Sequence, residues 1–189
     1  MPVSYEITEF TAFDSVASYS IVVMFTSAIT KSQIPVTIDA FTAWNPAGEI
    51  TQYDATFRWF SFLLDTLLNR AATAMGLSLT DAMPKLAGTL TDSVCKIHDQ
   101  YCTGANQQYA SRAECLNFLT TQIPFGKDYQ LGRNSLQCRA LHKQMVAFRP
   151  EVHCHHIGPT GGGMCVDDLM YEEKVTEKVF TNYNWAPRY

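Results

Sequence analysis

Residues 34–59 read IPVTIDAFTAWNPAGEITQYDATFRW, and this stretch decides the fold. Two runs rich in β-branched and aromatic residues flank Asn45-Pro46-Ala47-Gly48, where proline presets the turn and glycine accepts a positive φ. The pattern predicts a long β-hairpin. Asp39 and Asp54 stand inside its strands, where aspartate is disfavoured, so each must face water or line a polar cavity.

Outside the hairpin, alternating apolar and polar residues begin at Val3, and a second apolar run, residues 19–25, predicts a central strand covered on both faces. After Trp59 the apolar period changes to that of a helix, from Phe60 to Met75. The predicted fold is α+β, with a curved antiparallel sheet of about four strands packed with helices. One hairpin tryptophan, Trp44 or Trp59, is expected in the core.

The second half of the chain is predicted to be a disulfide-stapled helical module. Ser78 with Asp81, and Ser111 with Glu114, resemble capping boxes that open helices. All six cysteines lie in this half, at positions 95, 102, 115, 138, 154 and 165. An even number in one region predicts three disulfides, with 15 connectivities open. We therefore expect a sheet domain at residues 1–78 and a cysteine-rich helical extension at residues 79–189.

Composition excludes some functions and indicates a compartment. The chain is 47% hydrophobic and 17% charged, with a formal charge of −4 and no long basic run, so nucleic-acid binding is not expected. No apolar stretch is long enough to predict a membrane span. The N-terminus lacks the basic and apolar regions of a signal peptide, yet the cysteines are typical of an oxidising compartment. We expect an extracellular or secretory-pathway protein whose N-terminal portion is absent from this chain.

Two motifs in the cysteine-rich half could carry chemistry. His153-Cys154-His155-His156 with Cys165 has ligand types suited to zinc, but the spacing favours disulfides with hydrogen-bonded or surface histidines. Cys95-Lys-Ile-His98-Asp99-Gln-Tyr-Cys102 resembles the helix of secreted phospholipases A2 over eight residues, which would make His98 a general base. The upstream calcium loop of that family is missing, and the alternative is a polar residue between two stapled cysteines.

The hairpin carboxylates are a further candidate site. Asp54 and Arg58 share one face of their strand, and the sequence does not decide whether Asp39 lies on that same face of the sheet. If it does, a carboxylate pair near an arginine could perform acid–base chemistry, because burial and the neighbouring charge raise the pKa of one carboxyl. The alternative is that both aspartates point to solvent.

Residues 3–60, with the strand Tyr19 to Ala28 followed by IPVTIDAFTAWNPAGEITQYDATFRW, resemble the C-terminal sheet of the SnoaL-like and nuclear-transport-factor-2-like superfamily. The resemblance implies a cone-shaped barrel around an apolar pocket, as in polyketide cyclases, isomerases, dehydratases and non-catalytic binders. The helices that normally precede the sheet are missing here. The cysteine-rich extension is similar to those of fungal secreted proteins.

The resemblance implies a secreted enzyme of cyclase, isomerase or dehydratase type acting on an apolar, polyketide- or terpenoid-like molecule. In this interpretation Asp54, with Asp39 or His98 as partner, transfers the proton in a pocket between the sheet and the Phe60–Met75 helix. No metal or organic cofactor is required. A non-catalytic carrier of a hydrophobic small molecule, or a secreted interaction or structural protein, remains the alternative.

Overall fold

A computed structural model describes residues 2–26, 32–130 and 133–180. The strands are β1 (Pro2–Phe13), β2 (Val16–Thr26), β3 (Gln33–Trp44) and β4 (Ile50–Phe57). The helices are α1 (Phe60–Ala74), α2 (Leu79–Tyr101), α3 (Arg112–Thr121), α4 (Leu136–Val146), α5 (Pro150–Ile157) and α6 (Tyr171–Thr176). The α+β prediction is confirmed. Positions 27 and 28 of the predicted strand lie outside the described residues.

The four strands form an antiparallel meander in the order β1-β2-β3-β4, so β2 is central as predicted, and β3 is the other central strand. Between β3 and β4 the chain turns at Asn45, whose side-chain Oδ1 accepts hydrogen bonds from the backbone N–H groups of Ala47 and Glu49, both at 3.0 Å. Gly48 has a φ of +79°, a conformation that glycine adopts without strain. The hairpin is therefore held by the turn chemistry that its sequence indicates.

Helix α1 packs on one face of the sheet. Its Leu63 and Leu67 contact a buried cluster of β-branched residues from β2 and β3, namely Val23, Ile34, Val36 and Ile38. The helix ends at Ala74, and the positive φ of +66° at Gly76 lets the Leu77 N–H donate to the Ala72 carbonyl. Of the two tryptophans of which one was expected in the core, Trp59 is 75% exposed and Trp44 is half-buried.

The helices α2 to α5 surround a second core of buried aliphatic side chains and cystines. Three disulfides join Cys95 to Cys115, Cys102 to Cys154, and Cys138 to Cys165, and no free cysteine remains among the described residues. The predicted count is confirmed. Ser78, Ser111 and Ser135 cap α2, α3 and α4, each accepting a hydrogen bond from the backbone N–H three residues on.

The chain divides into two compact units. The first contains residues 1–71 and 172–189, with the sheet and the beginning of α1; the second contains residues 72–171, with the three disulfides. No residue of the short helix α6 is buried. Within the described parts of the chain, no helix has the length and apolarity needed to cross a bilayer.

Candidate functional site

A polar network lies on the face of the sheet opposite α1. Asp39 on β3 accepts two hydrogen bonds from the Arg58 guanidinium, at 2.9 Å from Nε and 2.7 Å from Nη2. The Ser20 hydroxyl, on β2, lies 2.5 Å from an Asp39 oxygen and 3.1 Å from an oxygen of Glu9 on β1. The network therefore links β1, β2 and β3 to Arg58, the residue that follows β4.

This arrangement fixes the charge of Asp39. The hydrogen bond from Arg58, followed by that from Ser20, lowers the pKa of the Asp39 carboxyl below its usual value. The ion pair raises the pKa of Arg58 in turn. A carboxylate held ionised in this way is a weak general base, because the groups that stabilise its charge also lower its affinity for a proton.

Asp54 lies on the same face as Asp39. Asp39 pairs with Thr56, and Phe41 pairs with Asp54, so the two carboxylates are diagonal neighbours across β3 and β4. The register that the sequence left open thus brings them to one face. Asp54 is exposed there, whereas the side chain of Asp39 is 32% exposed.

The expectation that these carboxylates line a cleft under α1 is wrong. Side chains alternate along a strand, and Ile38, the neighbour of Asp39, points to the face that α1 covers. Asp39 and Asp54 therefore point the opposite way. Their proposed catalytic roles stay a prediction, but the apolar cleft does not supply the dry environment on which that prediction depended.

The cleft itself exists between the sheet and α1. It has a volume of about 240 Å³. Seven apolar side chains line it: Phe25, Ile34, Val36, Phe57, Phe60, Leu63 and Leu67. Phe57 and Phe60 meet edge to face, with ring centroids 5.9 Å apart. Because no lining residue is charged or polar, the cleft suits an uncharged apolar group rather than an ionic one.

His98 lies in the second unit, buried on α2. Its Nε2 accepts hydrogen bonds from the backbone N–H groups of Gln108 and Tyr109, at 3.1 and 3.3 Å, and its Nδ1 lies 3.4 Å from Asp99. These contacts use the Nε2 lone pair to hold the segment after α2 in place. The predicted role as general base stays a prediction, and the contacts are those of a structural histidine.

The His153-Cys154-His155-His156 motif forms half of α5, a helix that the sequence did not predict. Cys154 and Cys165 are each bonded to another cysteine, so neither offers a thiolate to a metal. Sequence reasoning also missed His142, on α4, whose ring lies against that of His156 with centroids 4.7 Å apart. The only sequence signal was its position four residues after Cys138, which places both on one face of α4.

Comparison with known proteins identifies the family. The BfoA N-terminal domain matches residues 1–55 and the BfoA family C-terminal domain matches residues 59–168. The chain is 50% identical over 186 residues to the Bifonsecin B biosynthesis cluster protein A of Aspergillus brasiliensis, covering 98% of this chain and 62% of that protein. It is also 50% identical over 186 residues to the Aurasperone B biosynthesis cluster protein A of Aspergillus niger, covering 98% of this chain and 61% of that protein.

The chain thus spans less than two thirds of the length of these relatives. No solved structure matches it. The resemblance to the SnoaL-like superfamily is untested by these matches and stays a prediction. Because the C-terminal domain match alone extends over more than half of the sequence, the chain belongs to the BfoA family.

Proposed function

We propose that this protein takes part in the biosynthesis of a fungal secondary metabolite and binds an uncharged, largely apolar small molecule in the cleft between the sheet and α1. The observation that carries the proposal is the identity of 50%, over 98% of the chain, to Aspergillus proteins named for bifonsecin B and aurasperone B biosynthesis clusters. The wholly apolar lining of the cleft supports the choice of ligand.

The cleft supports binding better than acid–base catalysis. A cyclase, isomerase or dehydratase needs a group that accepts or donates a proton next to the bound molecule. None of the seven side chains that line the cleft can do so. Asp54 and Asp39, the bases predicted from the sequence, are on the other face of the sheet. A carrier or binding protein is therefore the form of the proposal that the geometry favours.

We further infer that the protein resides in an oxidising compartment, either the secretory pathway or the exterior of the cell. All six cysteines are paired in three disulfides, and such frameworks persist where glutathione and thioredoxin do not reduce them.

Two measurements test the proposed function. Deletion of the gene that encodes this chain in its own organism should remove or alter one secondary metabolite in extracted culture, as seen by mass spectrometry. An unchanged metabolite profile under conditions in which the gene is expressed would contradict a biosynthetic role.

For the cleft, a neutral naphthalene dye whose fluorescence rises in apolar surroundings should bind the protein with one site per chain. Leu63→Gln places an amide in the lining and should weaken binding at least about tenfold, because the amide must be desolvated without a partner. Phe62→Gln is the matched control, since Phe62 is the neighbouring residue on α1 and is 71% exposed. Equal loss in both variants would refute the cleft as the binding site.

The variant Asp54→Asn distinguishes a carrier protein from an enzyme. It keeps the shape of the side chain and removes its basic oxygen, on the face opposite the cleft. A carrier should retain dye binding and metabolite production in this variant. Loss of the metabolite with dye binding intact would instead support the catalytic prediction.

A further inference from the structure

Three histidines from two helices converge within the second unit. The Nδ1 atom of His156 on α5 lies 3.2 Å from the Nδ1 atom of His153 and 3.2 Å from the Nδ1 atom of His142 on α4. One ligand atom from each residue lies within 4.8 Å of those from the other two. This site is separate from the apolar cleft of the first unit, and nothing in the proposed function depends on it.

The distances within this cluster match those between ligands of one metal ion. A ring nitrogen carries either one N–H or one lone pair, so the two imidazole nitrogens at 3.2 Å from His156 Nδ1 would have to share a single hydrogen-bonding position. Two nitrogens bound to one tetrahedral zinc ion lie about 3.3–3.4 Å apart, given Zn–N bonds of about 2.0–2.1 Å. The observed spacing is therefore close to that of imidazoles sharing an ion.

The disulfides hold the two helices that carry these rings. Cys138, one turn before His142 on α4, is bonded to Cys165. On α5, Cys154 follows His153 directly and is bonded to Cys102. His153 and His156 are three residues apart, which places them on one face of α5. The donor atoms are thus positioned by covalently anchored helices, as a preorganised metal site requires.

Glycine at position 162 also shapes the site. A Cβ atom there would lie 2.9 Å from Cδ2 of His156 and 2.8 Å from the Cβ of His155, too close for any side chain. The residue also has a positive φ of +56°. The run Gly161–Gly163 forms a 3₁₀ turn whose backbone packs against the α5 histidines.

The geometry points to a binding site for one divalent transition-metal ion, with Zn²⁺ the natural occupant, formed by His142, His153 and His156. Imidazole nitrogen suits zinc, copper, nickel or iron, whereas calcium and magnesium take oxygen ligands. Three histidines leave a fourth position open for water or a ligand oxygen. His153 and His156 are only half-buried, so that position can be reached from solvent.

The neighbouring sulfur atoms of Cys138 and Cys165 lie near His142 but are paired with each other, so the ligand set is three nitrogens.

The test is a titration of the untagged, disulfide-intact chain with Co²⁺ after removal of metal by a chelator. We expect the visible absorption of cobalt in a low-symmetry nitrogen site, saturating at one ion per chain and displaced by Zn²⁺. His153→Gln and His156→Gln should each lower Co²⁺ affinity at least about 100-fold, since even the loss of a group that only orients a ligand costs about 10–100-fold.

His155→Gln is the matched control, because His155 is on the same helix, is exposed and is outside the cluster. It should leave the affinity and the spectrum unchanged. The half-buried His153 and His156 are chosen over His142 so that the variants fold, which near-ultraviolet circular dichroism verifies. Absence of a saturable cobalt band in the wild-type chain, or equal loss in the His155 variant, would overturn the proposed site.

Discussion

At Asp39 a single carboxylate links three strands and the segment after β4. It accepts hydrogen bonds from Nε and Nη2 of Arg58 and from the Ser20 hydroxyl. That hydroxyl is also within hydrogen-bond distance of Glu9. Charge-assisted, bidentate hydrogen bonds of this kind are among the stronger polar contacts in proteins, although solvent weakens them when the side chains are partly exposed. The network explains why an aspartate occupies the middle of a strand.

Asp39→Asn should destabilise the protein at neutral pH. The folded-state pKa of Asp39 lies below its ordinary value of 3.8, so its contribution to stability is complete above that pH and is lost as the pH falls through the folded-state value. The difference in free energy of unfolding between wild type and variant should therefore be largest near pH 7 and shrink below about pH 4. Urea denaturation at several pH values measures it.

Asp54→Asn provides the comparison for that series, because Asp54 lies on the same face and is exposed. Its change in free energy of unfolding should stay within about 0.5 kcal/mol. A pH-independent effect of Asp39→Asn would show that the ion pair is not the origin of the stability difference.

Residue-scale geometry was the part of the site that the sequence could not determine. Both aspartates were recognised, but their shared face depends on the turn and on an irregularity after it, where Ala43 pairs with Gln52 and Trp44 with Ile50. A shift of one residue in register would reverse the face of every side chain on β4. Which face of the sheet α1 covers is likewise decided by packing. The aspartates were expected on the covered face and lie on the opposite one.

At the scale of elements, capping motifs in the sequence correctly predicted where some helices begin. Ser78 and Ser111 cap helices as their sequences indicate. Helix α5 was missed because its eight residues, PEVHCHHI, carry no apolar stripe and are held by tertiary contacts instead. The histidine cluster depends on this tertiary arrangement, so sequence spacing alone did not reveal it.

The disulfides should differ in how much they stabilise the helical unit. Cys102 and Cys154 are 52 residues apart, whereas Cys95 and Cys115 are 20 apart. The loop-closure model gives about 4 kcal/mol for the longer loop and about 3 kcal/mol for the shorter one. Paired alanine variants of each disulfide, compared by urea denaturation, should follow that order. A larger cost for the shorter loop would show that packing around the cystine dominates over chain entropy.

At the scale of the whole molecule, the two units have cores of different kinds. The sheet unit is stabilised by β-branched side chains that pack with Leu63 and Leu67, and its described residues include no cysteine. In the helical unit, the buried cluster contains Cys95, Cys102, Cys115 and Cys154 among its members. Covalent links therefore supply part of the stability of the helical unit and none within the sheet unit.

Reduction of the disulfides should consequently loosen one unit before the other. Hydrogen exchange of the native protein, followed by mass spectrometry with and without a reductant, should show faster exchange across α2 to α5 after reduction. The amides of β2 and β3 should keep their protection, because their hydrogen bonds and the apolar cluster beneath them contain no reducible bond. Simultaneous loss of protection in both regions would mean that the sheet depends on the helical unit for its stability. Protection of α2 to α5 that survives full reduction would mean that their aliphatic core, including Val94 and Leu136, is sufficient without the cystines.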